Sequence, residues 1–220
     1  MSVRLISHST TPEELYVGDN IQELIAYTAR VSNPSNQNNS ETSERLLAYL
    51  IKHKHWSPFE MASACLEIET TRDIARQILR HRSFSFQEFS QRYADPTGDL
   101  DFTMKEARLQ DTKNRQNSIE VEDGTLQFEW LQQQAEVCNT AKHAYAWAIE
   151  RGIAKEQARA VLPEGITNSR LYMNGTIRSW MHFVDIRSGV ETQKEHREVA
   201  RACADALEPI FPMIKKMISD

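Results

Sequence analysis

Glycine and cysteine are scarce in this chain, and their positions exclude several classes of site. The 220 residues contain seven glycines, which form neither a Gly-x-Gly-x-x-Gly run nor a phosphate-binding loop. A Rossmann enzyme is therefore excluded, and any bound dinucleotide must be held by side chains and helix ends. Cys65, Cys138 and Cys203 are far apart and lack Cys-x-x-Cys spacing, so neither a disulfide framework nor a zinc site is indicated.

Long apolar runs and an excess of positive charge are also missing. No stretch is apolar over the length needed to cross a bilayer, and the N-terminus has no apolar leader segment. The formal net charge of −5 argues against a surface that coats nucleic acid, because such surfaces are basic. We therefore expect a soluble, cytoplasmic protein with no nucleic-acid and no membrane partner. Arginines outnumber lysines by 17 to 9, which favours local, bidentate recognition of an anion.

Residue patterning predicts a mixed fold. With 40% hydrophobic residues the chain can build one sizeable core, so we expect a single domain over 1–220. Strands are predicted over 3–7, 62–69 and 170–174. Helices are predicted over 21–32, 42–54, 125–151, 177–186 and 192–211, with a shorter helix that carries Arg159 and ends before Pro163. Residues 95–124 are polar and are predicted to form a long excursion, as a lid or interface segment. This order favours an α+β fold, in which helices flank a central, mostly antiparallel sheet and add a helical elaboration.

The densest chemistry lies in the run from Arg80 to Arg92, which combines cations, hydroxyls, an amide and a carboxylate. Upstream, Arg72, Arg76 and Arg80 are predicted to share one helix face at i, i+4 and i+8. Like charges at this spacing destabilise an isolated helix by roughly 0.2–0.5 kcal/mol per pair, so the stripe needs an external counter-charge or nearby acids. One interpretation is a solvated arginine face, with Asp73 and Glu69 as partial neutralisers. The serines and glutamines that follow favour another, a site for a multiply charged anion.

The same run carries a family resemblance. Its fixed positions are Arg80, His81, Arg82, Ser85, Ser90 and Arg92. This pattern resembles the signature of the flavin-dependent thymidylate synthases. Further similar elements lie at 29–32, 55–60, 158–163 and 178–183, followed by Arg187, Gln193 and Glu195. The resemblance spans roughly residues 20–200 and keeps the order of the family's elements.

The resemblance implies an activity, a cofactor and an assembly. A flavin-dependent thymidylate synthase reductively methylates dUMP to dTMP, with methylenetetrahydrofolate as carbon donor, FAD as hydride carrier and NADPH as reductant. It uses no covalent nucleophile of its own. The resemblance also implies a homotetramer with active sites shared between subunits, in which Ser57 and the segment 80–83 come from different chains. Every ligand is an anion, which accounts for arginines gathered from separate segments.

The resemblance also implies residue roles. Arg187 is the expected catalytic cation, which stabilises the ionised pyrimidine at its O2/N3 edge and so pushes electron density toward C5. Considered without the family, Arg187 near a helix end compensates the helix dipole. The expected dUMP-binding residues are Gln77, Ile78, Leu79, Arg80, Glu88, Phe89, Ser90, Gln91, Arg92, Arg159 and Arg187. The expected FAD-binding residues are Ser57, Arg80, His81, Arg82, Ser83, Glu88, Thr176, Ile177, Arg178 and His182, with Ser32 and His55 as further candidates.

Three positions depart from the family pattern. Met61 stands where a histidine is frequent, and Thr176 stands where an asparagine is frequent, so flavin contacts at these two positions do not carry over directly. Ser57 replaces a threonine but keeps the hydroxyl group.

Two other uses of the histidines stay open at this point. His81, flanked by Arg80, could be the phospho-accepting nucleophile of a phosphohydrolase, although Arg82 replaces the glycine of an Arg-His-Gly motif. His53 and His55 invite a metal site, but no third ligand lies nearby, and we expect no metal.

A further interpretation is a nucleotide- or RNA-binding module. It would use the arginine stripe with four aromatic side chains as stacking surfaces, namely Phe84, Phe86, Phe89 and Tyr93. The same aromatic spacing is also typical of core packing.

Overall fold

The computed structural model of the protein describes residues 1–15, 17 and 20–218. Its strands are β1 (Ser2–His8), β2 (Ser63–Thr71), β3 (Ser85–Glu88), β4 (Arg108–Gln110), β5 (Ser118–Glu120) and β6 (Asn168–Thr176). Its α-helices are α1 (Ile21–Ala29), α2 (Ser43–Lys52), α3 (Arg72–Ile78), α4 (Pro96–Asp99), α5 (Gly124–Glu150), α6 (Lys155–Ala158), α7 (Ile177–Arg187) and α8 (Lys194–Leu207). Short 3₁₀ turns cover Pro34–Asn36, Ser57–Glu60, Arg159–Val161 and Pro212–Met217.

An antiparallel sheet with the strand order β1-β2-β6-β3 organises the chain. Strands β2 and β6 pair along their whole lengths, with Leu66 opposite Met173 and Ile68 opposite Leu171. These four side chains are fully buried, whereas Tyr172 on the alternate face is exposed. Because successive side chains of a strand point to opposite faces, one face of the sheet carries the core and the other is polar.

Helices α3, α7 and α8 contact the sheet, and α8 also contacts α3 and α7. Trp180 of α7 lies at the centre, fully buried, and its indole N–H donates to the carbonyl of Ala64 at 3.0 Å. The rings of Phe84 and Phe183 surround it at centroid distances of 4.8 and 6.0 Å. Phe84 is thus a core residue, and the hypothesis that it offers a free stacking surface is wrong.

Helix α5 forms the predicted helical elaboration. It contacts α6 and the turn that follows α6, with a small apolar cluster of Tyr145, Ala148 and Ala158 between them. Several of its large apolar side chains are exposed, among them Phe128, Trp130, Val137 and Trp147. Within the described ranges, no helix combines the length and apolar content that a membrane span requires.

The predicted α+β fold is confirmed, with an antiparallel central sheet flanked by helices. The strands predicted over 3–7, 62–69 and 170–174 are present as β1, β2 and β6, and their ends move by one or two residues. The helix predicted over 125–151 is α5, and it is followed by Gly152 with a φ of 74°, a left-handed conformation suited to glycine. The helices predicted over 21–32 and 42–54 end earlier, at Ala29 and Lys52.

The arginine stripe is shorter than predicted. Helix α3 ends at Ile78, and the backbone N–H of Arg80 donates to the carbonyl of Gln77 in a tight turn. Arg80 lies in this turn and does not share the helix face of Arg72 and Arg76. The chain there leaves the helix to enter β3, a strand that the serine-rich sequence does not reveal.

Two other segments also differ from expectation. The helix predicted over 192–211 begins at Lys194 and ends at Leu207, and a 3₁₀ turn starts at Pro212. Proline has no N–H to continue a helix and restricts the residue before it, which accounts for the early end. The excursion over 95–124 contains helix α4 and the two-stranded hairpin of β4 and β5.

We expect Gly175→Ala to destabilise the fold. A Cβ at this position would lie 2.4 Å from a ring carbon of Phe84, and the ring is held by Trp180 and cannot withdraw freely. Overpacking of this kind costs about 1–3 kcal/mol, to be measured by denaturant unfolding. Gly165→Ala is the matched control, because nothing lies within 4 Å of a Cβ there. Equal stability of the two variants would contradict the packing described.

Candidate active site

Arg187, the last residue of α7, is held by an imidazole rather than by a carboxylate. Its Nε–H donates to Nε2 of His81 at 2.9 Å. Because a guanidinium only donates, Nε2 of His81 is unprotonated and the ring proton lies on Nδ1. Burial, and then the charges of Arg187 and His182, lower the pKa of His81 from 6.5 to about 4. A neutral imidazole therefore orients the guanidinium and leaves its charge uncompensated.

The arginines of α3 have a counter-charge within the chain. Glu88 of β3 accepts a hydrogen bond from Ser169 at 2.8 Å and forms ion pairs with Arg76 at 3.0 Å and Arg72 at 3.6 Å. Arg76 also pairs with Glu164 at 3.1 Å. Arg72 and Arg76 are thus neutralised by acids, but not by the expected Asp73 and Glu69, which pair with Lys105 and Arg170. Glu88 orients the two arginines.

Arg80 and Arg82 behave differently, because both are exposed and neither forms an ion pair with a residue that the structure describes. Downstream, Arg92 approaches Glu156 at 3.4 Å, and Arg159 donates to the carbonyl of Glu156 at 3.3 Å. Arg159 opens the 3₁₀ turn after α6 instead of lying within the predicted helix. Two arginines from distant segments thus meet at α6.

The remaining residues of the predicted dUMP set divide into two groups. The hydroxyl oxygen of Ser90 accepts from the backbone N–H of Arg92 at 3.4 Å, which leaves its own proton available. Gln91 is buried and its Nε2 has no partner among the described residues. Ile78 is fully buried in the core, so a ligand could meet only its backbone, whereas Leu79 and Phe89 are half-buried.

A cleft of about 420 Å³ lies along α7. Its walls include Trp56, Glu60, Ser83, Met181, Arg178, His182, Asp185 and Met217. Arg178 forms an ion pair with Glu60 across it. Trp56 and Glu60 flank Ser57 in the chain and share this cleft with Ser83 of the same chain. The expected division of Ser57 and 80–83 between two chains is therefore not required by the geometry.

Thr176, one of the positions that differ from the family pattern, lies at the N-terminus of α7. The Thr176 side chain accepts from the backbone N–H of Ser179 at 3.3 Å and so caps the helix. Ser179 in turn donates to the carbonyl of Ser83 at 3.2 Å, which fixes the start of the cleft. Ile177 is fully buried and can offer a ligand only its backbone.

Ser32 lines another cavity, and His55 lies near Tyr49, one of the residues of its wall. This cavity, of about 600 Å³, is lined by Arg30, Ser32, Arg45 and Tyr49 among others, and shares no lining residue with the first. The ring of His55 lies 6.2 Å from that of Tyr49 and 6.2 Å from that of His53. In the part of the chain that the structure describes, no three His, Cys, Asp or Glu side chains are grouped as metal ligands would be.

Several site residues escape the sequence argument. Asp185 lines the cleft with Arg178 and His182, and these three positions at i, i+4 and i+7 of one helix are a spacing that could have revealed it. Trp56 and Glu60 lie in the element 55–60, but the family resemblance implies no role for them. His196 of α8 is fully buried with its ring 6.4 Å from that of His81, and nothing in the sequence indicates this approach.

Stability should fall in mild acid because of the two neutral imidazoles. Burial comes first among the causes that lower the pKa of His81 to about 4 and that of His196 to about 3. Below the ordinary value of 6.5 the unfolded chain binds more protons than the folded chain, so the free energy of unfolding decreases as the pH falls toward these values. Denaturant unfolding between pH 7 and pH 5 measures this decrease, and His196→Asn should make it shallower. An identical slope in the variant would contradict the assignment.

Comparisons with known proteins show which family the chain resembles. The family model described as thymidylate synthase complementing protein matches residues 13–213. A probable flavin-dependent thymidylate synthase of Paramecium bursaria Chlorella virus 1 is 46% identical over 218 residues, covering 99% of both chains. The flavin-dependent thymidylate synthase of Synechocystis sp. is 48% identical over 216 residues, covering 97% of both.

A solved structure shares the fold. The UMP/dUMP methylase PolB from Streptomyces cacaoi, bound with 5-Br dUMP, superposes with a TM-score of 0.78 at 25% identity, covering 98% of this chain and 93% of that one. The family match spans most of the chain, and two relatives approach half identity over nearly their full lengths. The chain therefore belongs to the flavin-dependent thymidylate synthase family, as the signature between Arg80 and Arg92 predicts.

Proposed function

We propose that this protein reductively methylates dUMP to dTMP, with methylenetetrahydrofolate as the carbon donor, FAD as the hydride carrier and NADPH as the reductant. The observation that carries the proposal is the pairing of Arg187 with a neutral His81, which the exposed Arg80 and Arg82 flank in the chain. The names of the viral and cyanobacterial relatives support a flavin, and the pyrimidine nucleotide bound to the Streptomyces methylase supports the substrate class.

The cleft has the chemistry that a flavin dinucleotide requires. Trp56, Met181 and Met217 offer apolar surface for a flat ring. Arg178, once released from its ion pair with Glu60, and the N-terminus of α7 offer positive charge for phosphate. FAD, when bound, supplies the hydride that converts the transferred methylene into a methyl group. Ser83, Arg178 and His182 would hold it there.

Arg187 supplies the activation of the pyrimidine. C5 of uracil is a weak carbon nucleophile until negative charge on the ring is stabilised at the O2/N3 edge. The Nε–H of Arg187 is engaged by His81, so its two terminal amino groups would be the donors that bind this edge as a fork. An uncharged imidazole partner keeps the full positive charge available for the ring.

The monophosphate falls to the arginines that lack an internal counter-charge. Arg72 and Arg76 are neutralised by Glu88 and Glu164, whereas Arg80 is exposed and unpaired among the described residues. Arg80 would bind the phosphate together with Arg159 and the hydroxyl of Ser90, and Arg92 would join them by exchanging its ion pair with Glu156 for one with the phosphate. In this scheme Gln77, Gln91 and Glu88 position the nucleotide or the arginines that hold it.

None of the three cysteines is suited to attack the pyrimidine covalently. Burial raises the pKa of the thiols of Cys65, Cys138 and Cys203, which disfavours the thiolate nucleophile. Nε2 of His81 is engaged by Arg187, which also disfavours a phosphohydrolase that uses this nitrogen. The proposed reaction therefore relies on noncovalent activation of the pyrimidine by Arg187.

We further propose a homotetramer with shared active sites in the cytoplasm. The exposed apolar side chains of α5, including Phe128, Trp130 and Trp147, support an assembled state, since apolar patches of this kind are usually covered. The second cavity, with Ser32, would then serve a neighbouring subunit's flavin.

Arg187→Ala should abolish dTMP formation while FAD stays bound, because the cation at the pyrimidine edge is lost and the cleft residues are intact. Arg187→Lys should restore activity only in part, since a point charge cannot replace a fork. Product formation is measured by chromatography and FAD by its visible absorbance. Arg151→Ala, at the far end of α5, is the control. Full dTMP production by Arg187→Ala would contradict the role.

Ser90→Ala should raise the Kd for dUMP without stopping turnover. A hydrogen bond to a charged acceptor contributes on the order of 1.5–3 kcal/mol, which corresponds to roughly tenfold to a hundredfold in Kd. Calorimetric titration with dUMP measures the change, and the exposed Ser118→Ala on β5 is the matched control. A covalent serine adduct found by mass spectrometry, or no turnover at saturating dUMP, would refute a simple donor role.

A further inference from the structure

A partly buried network of hydrogen bonds links α8 to α3 at Gln77, a residue of the expected dUMP set. Gln193 donates from Nε2 to Glu195 at 2.9 Å, and Gln77 donates from Nε2 to Oε1 of Gln193 at 2.8 Å. Oε1 of Gln77 lies 3.2 Å from Nδ1 of His196. Arg108 of β4 closes the other end with a 2.6 Å bond to Glu195.

Which group donates and which accepts in each of these hydrogen bonds follows from the charge of Glu195. Burial raises the pKa of Glu195, but hydrogen bonds, first that from Arg108, outweigh it, and the net pKa is lowered. An ionised carboxylate only accepts, so Gln193 must present its amide N–H₂ to Glu195 and its oxygen to Gln77. Gln77 must then present its own oxygen to His196. The proton of this imidazole therefore lies on Nδ1.

The surroundings of His196 are consistent with a neutral ring of this tautomer. The residue is fully buried, its ring lies 5.8 Å from Phe183, and its Nε2 has no partner among the described residues. The groups that face it are Gln77 of α3, His81 in the turn after α3, and Arg187 of α7. Burial, then the charges of Arg187 and His81, lower its pKa to about 3. A protonated ring beside Arg187 is excluded at neutral pH.

We infer that His196 is a positioning residue, which donates from Nδ1 to fix the carboxamide of Gln77 in one orientation for the nucleotide. The inference rests on the proposed function, because Gln77 belongs to the expected dUMP set. With its Oε1 held by His196 and one N–H held by Gln193, Gln77 keeps one N–H and one lone pair for a ligand. An amide that could rotate would present donor and acceptor interchangeably and would bind less selectively.

The same network of hydrogen bonds also connects the excursion over 95–124 to α8. Arg108 brings the β4–β5 hairpin onto Glu195, and Lys194 binds Glu106 at 2.8 Å and Glu120 at 2.6 Å. The hairpin thus anchors the charged end that sets the direction of the network.

The tautomer is tested first, without any ligand. In protein labelled with ¹⁵N-histidine, ring ¹⁵N–¹H correlations at neutral pH should show His196, identified by its absence from His196→Asn, as the neutral Nδ1–H form. An Nε2–H form, or a protonated ring, would overturn the inference, because Gln77 would then face the other way.

Dissociation constants for dUMP test the consequence. Asparagine places an N–H₂ close to the position of histidine Nδ1, so His196→Asn should bind dUMP within about threefold of the wild type, whereas His196→Leu should bind roughly tenfold more weakly. In His196→Leu the KM for dUMP should rise by a similar factor while kcat changes little. Val199→Ala, on the same helix and fully buried, should lose stability without a change in the Kd.

The outcomes separate the two proposals. If the wild type binds dUMP and His196→Leu binds it equally well, the inference is wrong and the proposed function stands. If Val199→Ala weakens binding as much as His196→Leu, the effect is one of packing, and the positioning role is refuted. A wild type that does not bind dUMP would refute the proposed function, and with it the ligand-facing role of Gln77.

Discussion

The site depends on a cation that is held in place without being neutralised. A carboxylate partner would fix Arg187 equally well, but it would cancel much of the charge that the proposed reaction needs at the pyrimidine edge. The Nε2 lone pair of His81 at 2.9 Å gives direction without an opposing charge. This works only while the imidazole is neutral, which burial and the neighbouring guanidinium ensure. The turn after α3 and the end of α7 must therefore stay packed together, and the aromatic core around Trp180 and Phe183 provides that packing.

The arginines near this pair fall into two groups with different physical roles. Arg72 and Arg76 on α3 are paired with acids, so their charge serves the fold around Glu88. Arg80 lies in the turn directly after the helix, where no described residue forms an ion pair with it. The early end of α3 at Ile78 is what separates the groups, because a continued helix would have placed Arg80 on the face occupied by the acids. A break in regular structure thus makes charge available to a phosphate.

The fold class and the longer elements could be predicted because each is set by local pattern. The alternation of Ala64, Leu66 and Ile68 specifies β2, and the apolar spacing that stops at Gly152 specifies α5. The signature between Arg80 and Arg92 specified the family. The end of helix α3 and the presence of strand β3 are harder to predict. A turn with i to i−3 hydrogen bonds has nearly the same free energy as another helical turn, and only the pairing of β3 with β6 decides which of them forms.

The contacts that tune the site could not be predicted, since each joins residues far apart in the chain. His81 and Arg187 are 106 positions apart, and His196 and Gln77 are 119 positions apart. Neither spacing nor composition specifies which nitrogen of an imidazole meets a guanidinium or an amide. The carboxylate of Glu195 imposes that choice only once α8, α3 and the β4–β5 hairpin are assembled. Pairing in space, rather than residue type, distinguishes a histidine that positions a ligand from one that merely fills the core.

The electron balance of the reaction tests the central proposal most directly. Converting a transferred methylene into a methyl group requires two electrons, and if these come from NADPH through FAD, the folate is not oxidised. Purified protein supplied with FAD, NADPH, methylenetetrahydrofolate and dUMP should therefore form dTMP and tetrahydrofolate in equal amounts, with one NADPH consumed for each dTMP. Formation of dihydrofolate, or dTMP production that continues without flavin, would contradict the account.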